Sequence, residues 1–293
     1  MKEFRAIKIM GSEIETHNFN RLISEFTNIL STNLVLPDIK DKILDQIFMC
    51  LETFRDMEQN YTKFCKIEND ISESIYRQVQ SGIINIADIE YDDPSFLLRK
   101  TFEDFMIRSQ FVIRYRNKLC MIVFNDDKFD EGKYRREKIM TLLNYKREIL
   151  GDNLFNSYKQ IMDDDKDWLA ILTQTRDKIE HVENHRLEIS DFKIYKENCD
   201  IKLKFPVCLE YNKRCDKFMN IMFFNLYTYI EDSISMILNL FSDGRWIINL
   251  FSDEDYKRPG ERWYSIDLGN RIYKVDMSEF NMKIFPNEVE IDN

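Results

Sequence analysis

Residues that interrupt regular secondary structure are scarce in this sequence. Only 7 Gly and 5 Pro occur among 293 residues. Because glycine and proline mark turns, their scarcity favours a few long elements over many short strands. Hydrophobic residues make up 44% and charged residues 32%, which is the balance of a globular protein with a full core. The composition therefore argues against a disordered chain and indicates a folded domain.

Short motifs that bind metals, nucleotides or redox partners are also missing. The six cysteines form no C-x-x-C pair, so neither a zinc ribbon nor a redox motif is signalled. No G-x-G-x-x-G, P-loop, G-x-S-x-G or EF-hand pattern occurs, which leaves nucleotide-dependent, serine-hydrolase and calcium-loop functions without support. We therefore expect buried, reduced thiols, no cofactor and no metal.

A long uncharged hydrophobic run, which a membrane span needs, is absent too. The most apolar segment, residues 218–241, carries Glu231 and Asp232 near its middle. A membrane span does not normally hold two carboxylates there. The first residues also lack the uninterrupted apolar stretch of a signal peptide. We therefore expect a cytoplasmic protein with no membrane partner.

The charge of the chain is acidic overall but basic in one region. The net charge of −10 argues against a protein that coats DNA non-specifically. Residues 99–147, however, contain thirteen Lys or Arg against seven Asp or Glu, a local balance of +6. Arg114 and Lys118 share a helix face next to Tyr115, whose ring could stack on a base. Arg114, Arg116 and Lys118 are therefore candidate RNA contacts, and a solvated helix surface is the simpler alternative.

Helical spacing of apolar residues dominates the first two thirds of the chain. From residue 39 to residue 64 these residues recur at three- and four-residue steps, after a helix start at Pro37. Asp92-Asp93-Pro94-Ser95 predicts the start of another helix, and Asn125-Asp126-Asp127 predicts its end. Further helices are predicted at residues 18–30, at 134–150 before Gly151, at 152–179 with an interruption at 163–167, and at 213–241.

Alternation of apolar and polar residues replaces helical spacing after His185. A first β-hairpin is predicted at residues 187–205, before Pro206, and a second pairs Trp263–Leu268 with Ile272–Met277. The predicted fold class is mainly α, a helical bundle with a β-hairpin insertion and a small β-hairpin tail. The predicted organisation is a helical domain at residues 1–245, with its core at 96–241 and its hairpin at 187–205, and a C-terminal extension at 246–293 that packs on the same domain.

The most suggestive cluster of chemical groups surrounds a pair of histidines. The chain has only three His, and two of them lie four apart in residues 175–186, T-R-D-K-I-E-H-V-E-N-H-R. Histidine is the side chain type whose charge changes near neutral pH, so His181 is the default general acid or base. Arg176 can bind a phosphate through two parallel hydrogen bonds. Asp177 lies one helical turn before His181 and can orient the imidazole. Arg176 and His181 are about 140° apart around a helix, so the site closes more easily if a second copy faces the first.

These residues carry a resemblance to a known family. Arg176-Asp177-x-x-x-His181 resembles the R-x(4–6)-H signature of the HEPN superfamily, and long helices flank it over residues 96–241 as they do in that family. Its members are compact helical bundles, and many are metal-independent endoribonucleases that act as dimers with a composite active site. They recur in toxin–antitoxin systems, in abortive infection and in antiviral defence.

The resemblance implies a role for each motif residue. His181 would act as acid or base on the ribose 2′-hydroxyl and the leaving oxygen, Arg176 would stabilise the charged phosphate transition state, and Asp177 would orient the site. RNA, a second copy of the chain and an antitoxin or effector protein are the implied partners. Lys178 and His185, in the same segment, are further candidate RNA contacts.

Three other interpretations of the segment stay open. Arg176, Asp177, Glu180 and His181 could form ordinary surface ion pairs at i,i+4 spacing. His181 and His185 could hold a metal ion together, although H-E-x-x-H is absent and the spacing indicates no third ligand. The chain could also be a catalytically inactive helical module that binds RNA or a protein, because many superfamily members have lost catalysis.

Overall fold

A computed structural model describes residues 37–81, 94–126, 136–181, 187–197, 200–242, 247–251, 263–267, 272–275 and 284–285. This part of the chain is a mainly α helical bundle with a small antiparallel hairpin, as predicted. Its α-helices are α1 (Pro37–Gln80), α2 (Pro94–Phe124), α3 (Arg136–Tyr145), α4 (Arg147–Glu180) and α5 (Cys215–Ser242). No helix in the described ranges is long and apolar enough to cross a membrane. The helix predicted at residues 18–30 lies outside them.

Helices α1 and α2 form where the apolar spacing predicts them. Each begins at a proline, whose fixed φ suits the first position of a helix. Helix α2 ends before Asn125, which adopts a left-handed conformation with φ 49 and so cannot continue the helix. The predicted stripes are buried, and their most deeply buried members are Ile43, Ile47, Phe54, Met57 and Phe64 in α1 and Leu98, Phe102, Phe105, Val112 and Leu119 in α2.

The region between α2 and the motif differs from the prediction in two places. The predicted break at Gly151 is present, since this residue has φ 75 and ψ 159 within α4. A second break occurs at Lys146, which separates α3 from α4. The interruption predicted at residues 163–167 is wrong, because α4 continues through them. The buried side chains of Met162 and Leu169 lie on either side, so the apolar stripe continues while the charged residues between them stay on the helix surface.

The β-hairpin insertion is confirmed, and a second hairpin follows it. Strands β1 (Lys193–Glu197) and β2 (Asp200–Lys204) pair antiparallel. Strands β3 (Val207–Cys208) and β4 (Lys213–Arg214) also pair, around a 3₁₀ turn at Leu209–Tyr211. We call residues 207–214 the connector hairpin. It occupies the place where the sequence predicts the start of a helix at residue 213, so α5 begins two residues later than predicted.

The C-terminal strands form a separate four-stranded antiparallel sheet. Its order is β5 (Ile247–Phe251), β6 (Trp263–Asp267), β7 (Ile272–Val275) and β8 (Ile284–Phe285). The predicted C-terminal hairpin corresponds to β6 and β7, which pair through Asp267 and Ile272. Strands β5 and β8 extend it on either side and were not predicted.

Contacts divide the chain into two compact units. Unit 1 comprises Met1–Leu51, Arg114–Asp165 and Tyr229–Asn293, and unit 2 comprises Glu52–Ile113 and Lys166–Thr228. The predicted boundary at residue 245 stays a prediction.

Unit 1 has a core that contains many polar groups. Residues 229–240 of α5 are buried on every face of the helix. Within this core the hydroxyl of Tyr158 lies 2.9 Å from Ser235 Oγ and accepts a hydrogen bond from Asn239 Nδ2 at 2.7 Å. These hydrogen bonds satisfy polar groups whose burial without a partner would cost free energy.

Unit 2 has a core rich in aromatic rings. Phe54 packs edge-on against Phe223 with ring centroids 5.7 Å apart, and Phe102 contacts Phe218 at 5.9 Å. Aromatic pairs of this kind stabilise a core beyond the area that they bury. The motif segment up to His181 and the connector hairpin belong to this unit.

Candidate functional site

The predicted motif lies at the C-terminal end of α4. We call Thr175–His181 the motif turn. Helix α4 ends at Glu180, and His181 is the first residue after it. The main-chain nitrogen of His181 still donates to the carbonyl oxygen of Asp177 at 2.9 Å, so the helical hydrogen-bond pattern extends over the whole motif. Arg176 and His181 therefore lie at the same end of α4.

Arg176 is held by two carboxylates of its own turn. Its Nη1 donates to Asp177 Oδ1 at 2.8 Å, and its Nη2 forms an ion pair with Glu180. The Arg176 side chain is only 18% exposed, and its buried Nε donates to no residue that the structure describes. A phosphate that binds the terminal nitrogens must therefore displace a carboxylate. The two carboxylates reach solvent, with the Asp177 side chain 50% and the Glu180 side chain 32% exposed. Ion pairs near solvent contribute about 0.2–1 kcal/mol each, so displacing one carboxylate costs little.

The side chain of His181 is exposed to solvent. The predicted contact with Asp177 does not form within this part of the chain, because the Asp177 carboxylate bonds to Arg176. The imidazole is thus accessible to a large substrate. His185, the second histidine of the segment, lies outside the described residues.

The connector hairpin fixes the motif turn from the other side. Lys178 Nζ forms an ion pair with Glu210 in the 3₁₀ turn, and the hydroxyl groups of Thr175 and Tyr211 share a hydrogen bond at 3.0 Å. The hydrogen bond that Lys178 donates to Glu210 raises the pKa of Lys178 above its ordinary value. Tyr211 in turn stacks on Phe218 of α5, with ring centroids 5.1 Å apart and planes 10° from parallel. Lys178 is therefore already bound to a carboxylate.

Sequence reasoning missed Glu210 and Tyr211 as partners of the motif. Both lie more than thirty residues after the side chains that they contact. No periodic signal links positions so far apart, and the only available hint was the complementary charge of Lys178 and Glu210. Glu180, by contrast, was visible as an i,i+4 partner of Arg176.

Arg114, Arg116 and Lys118 belong to unit 1, whereas the motif turn belongs to unit 2. Arg114 and Lys118 are partly exposed on α2. Arg116 is 1% exposed, its Nη1 donates to Asn117 Oδ1 at 3.2 Å, and its guanidinium lies 5.7 Å from the centre of the Tyr229 ring. The structure thus places the Arg116 guanidinium in the core of unit 1, away from a surface that RNA could reach.

A second arginine of unit 2 also lies between two carboxylates. Arg214 Nη2 donates to Glu68 Oε2 at 3.1 Å, and Arg214 Nε donates to Asp216 Oδ1 at 3.0 Å. Burial and the charge of Asp216 raise the pKa of Glu68 to about 7, against the effect of Arg214. We call Glu68, Arg214 and Asp216 the acid–arginine cluster. No sequence pattern singles out these residues, because Glu68 lies 146 positions before Arg214.

We find no candidate metal site in the part of the chain that the structure describes. Such a site would need at least three His, Cys, Asp or Glu side chains close together. The described cysteines are free thiols, and those in α1, α2 and α5 other than Cys65 are buried. Comparisons with protein-family models, with curated proteins and with solved structures find no match to this chain.

Proposed function

We propose that this chain is a HEPN-like, metal-independent endoribonuclease that acts in the cytoplasm, in a toxin–antitoxin or antiviral defence role. The observation that supports the proposal is the arrangement of the motif turn. Arg176 is partly buried and held by Asp177 and Glu180, whereas His181 is exposed at the same helix end. A fixed cation and an accessible imidazole at one helix end suit a large polyanionic substrate.

The proposed reaction is transfer of a phosphodiester within the RNA strand. The ribose 2′-oxygen forms a bond to phosphorus, and the bond from phosphorus to the 5′-oxygen of the next nucleotide breaks. His181 takes the proton of the 2′-hydroxyl, and a second, protonated imidazole gives a proton to the leaving 5′-oxygen. Arg176 stabilises the added negative charge on the phosphate oxygens. The products are a 2′,3′-cyclic phosphate and a 5′-hydroxyl.

The reaction also explains why we propose a homodimer. The attacking and leaving oxygens lie on opposite sides of phosphorus, so one imidazole cannot serve both. Two copies of the motif turn supply two imidazoles and two guanidinium groups. Lys178, Arg114 and Lys118 are the proposed contacts to the RNA backbone, and an antitoxin or effector protein is the proposed regulator.

Cleavage of RNA in the presence of EDTA tests the proposal. Purified protein should convert single-stranded RNA into fragments that end in a 2′,3′-cyclic phosphate. His181→Ala should lower the rate about 10²–10⁴-fold, the usual contribution of a general acid or base. Arg176→Ala should lower the rate about 10²–10³-fold through loss of charge stabilisation.

Arg77→Ala is the matched control for Arg176→Ala. Arg77 also forms an i,i+4 ion pair, with Glu73 on α1, but it lies outside the motif and is exposed. Its replacement should leave cleavage unchanged. If His181→Ala retains full activity while its helical circular dichroism is unaltered, the proposed mechanism is wrong.

A catalytically inactive module that binds RNA is the second candidate function. The observation that favours it is the engagement of both terminal nitrogens of Arg176 with carboxylates. This candidate predicts that the protein retains an RNA probe in a gel-shift assay without cutting it. It also predicts that expression of the protein does not slow growth, whereas toxicity relieved by His181→Ala favours the nuclease.

A further inference from the structure

The acid–arginine cluster places one positive charge between two carboxylates inside unit 2. Glu68 is 3% exposed and Asp216 is 8% exposed, whereas the Arg214 side chain is 39% exposed. With both carboxylates ionised, the cluster carries a net charge of −1 that is largely removed from water. Such an uncompensated charge costs free energy. A proton on Glu68 brings the cluster to neutrality.

The hydrogen bonding of Glu68 supports its ionised form at one oxygen only. Its Oε2 accepts from Arg214, but its Oε1 is buried and accepts a hydrogen bond from no residue with a described position. An ionised carboxylate needs donors at both oxygens, whereas a protonated carboxyl group carries less charge on each. The site therefore stabilises ionised Glu68 incompletely.

Three elements meet at this cluster. Glu68 belongs to α1, Arg214 ends the connector hairpin, and Asp216 lies in the first turn of α5. The Arg214 guanidinium also stacks on the ring of Phe205, 4.1 Å from its centre. Because Arg214 contacts Glu68 across 146 residues of sequence, the cluster fixes one end of the connector hairpin to α1.

We propose that the acid–arginine cluster is a pH-sensitive latch on the connector hairpin. The latch is closed while Glu68 carries a proton. Ionisation of Glu68 weakens it, because burial and the charge of Asp216 disfavour the carboxylate more than Arg214 favours it, and opening brings water to the site. The connector hairpin therefore detaches from α1 more readily as the pH rises, in the range between mild acidity and neutrality.

The charged and titratable groups around Glu68 agree with this direction. Burial and Asp216 favour the neutral carboxyl, whereas Arg214 and Lys217 favour the carboxylate, and the resulting pKa is about 7. Two thiols, Cys65 on α1 and Cys215 on α5, also face the cluster, but their raised pKa keeps them neutral in this range. Because this pKa lies above the ordinary value of 4.5, Glu68 contributes its full stabilisation to the closed latch below pH 4.5. The contribution is lost as the pH rises to about 7.

The latch has a consequence for the motif turn that rests on the proposed function. Glu210 and Tyr211, near the middle of the connector hairpin, bond to Lys178 and Thr175 of the motif turn. Opening of the hairpin would release both contacts and so free the Lys178 ammonium for RNA. The test below contains no RNA, so failure of the nuclease proposal leaves it unaffected.

Hydrogen exchange of the connector hairpin in the full chain tests the latch. Protection factors of the amides in residues 207–214 are measured between pH 5.5 and pH 8.5 in the wild type, in Glu68→Gln and in Glu73→Gln. In the wild type the opening constant should rise by up to about tenfold per pH unit below pH 7 and then level off. Glu68→Gln cannot ionise, so the rise should disappear. Glu73 lies on the same helix but is exposed and paired with Arg77, so Glu73→Gln should behave as the wild type.

The same measurements can overturn the proposal. Equal opening constants in the wild type and Glu68→Gln at every pH would do so, as would opening that increases when the pH falls. A carbon-13 titration of the Glu68 carboxyl group in the wild type provides a check that does not depend on any variant. A midpoint at least about one unit above the ordinary value of 4.5 supports the latch, and a lower midpoint refutes it.

Discussion

Two arginines of unit 2 each lie between two carboxylates, yet their surroundings differ. Arg176 pairs with Asp177 and Glu180 of its own helical turn, and these side chains are 50% and 32% exposed. Arg214 pairs with a carboxylate 146 residues earlier in the chain, the buried Glu68. The comparison teaches that the same set of charges has two roles. Where the carboxylates lie near solvent, the ion pairs only hold the arginine side chain in place. Where the carboxylates are buried, the ion pairs join distant elements and become sensitive to protonation.

Replacing each arginine by alanine is the strongest test of this contrast. Arg214→Ala leaves two buried carboxylates without their cation, and it should lower the free energy of unfolding by about 3 kcal/mol at pH 7.5. This value is at the lower end of the range for breaking a buried pair, because Arg214 is itself partly exposed. Arg176→Ala should lower it by about 1 kcal/mol or less. Urea denaturation followed by circular dichroism measures both, and equal losses would contradict the contrast.

The effect of burial on the strength of a polar contact can also be tested without charges, in the hydrogen bonds that Tyr158 forms in the core of unit 1. Tyr158→Phe removes the hydroxyl that bonds to Ser235 and Asn239, so both buried side chains lose that hydrogen bond. It should cost about 2 kcal/mol in urea denaturation, the loss of two hydrogen bonds at about 1 kcal/mol each. The control is Ser157→Ala, at the position next to Tyr158. It removes an exposed hydroxyl that donates to the carbonyl oxygen of Asn153 and should change stability by less than about 0.5 kcal/mol. A small effect of Tyr158→Phe would mean that burial alone does not make a polar contact important here.

The helices could be predicted from the sequence because their signal is repeated along the chain. In α1 apolar residues recur at three- and four-residue steps over residues 39–64, and in α2 the stripe has steps of three, four and seven residues. A single misplaced position therefore does not hide the pattern. The connector hairpin has no such signal, because its strands contain two residues each. Its existence depends on contacts with α1 and with the motif turn, which form only after the chain has folded.

The candidate site could be predicted only in its local part. The pairing of Arg176 with Glu180 follows from helical geometry alone, as i,i+4 neighbours on one turn. The predicted contact between Asp177 and His181 is replaced by one between Asp177 and Arg176, because the Asp177 carboxylate accepts a hydrogen bond from the neighbouring guanidinium. The partnership of Lys178 with Glu210 depends on the position of the connector hairpin, and no spacing rule reaches across 32 residues.

The smallest expected effect comes from that long-range but solvent-accessible pair. Lys178 and Glu210 are 25% and 35% exposed, so their pair resembles the contacts of Arg176 in exposure and those of Arg214 in sequence distance. If burial rather than distance sets the strength, a double-mutant cycle of Lys178→Met and Glu210→Gln should give a coupling of about 0.5 kcal/mol. The coupling should decrease further in 1 M salt, where the screening length falls to about 3 Å. A coupling near 3 kcal/mol that resists salt would instead show that long-range position alone makes an ion pair strong in this fold.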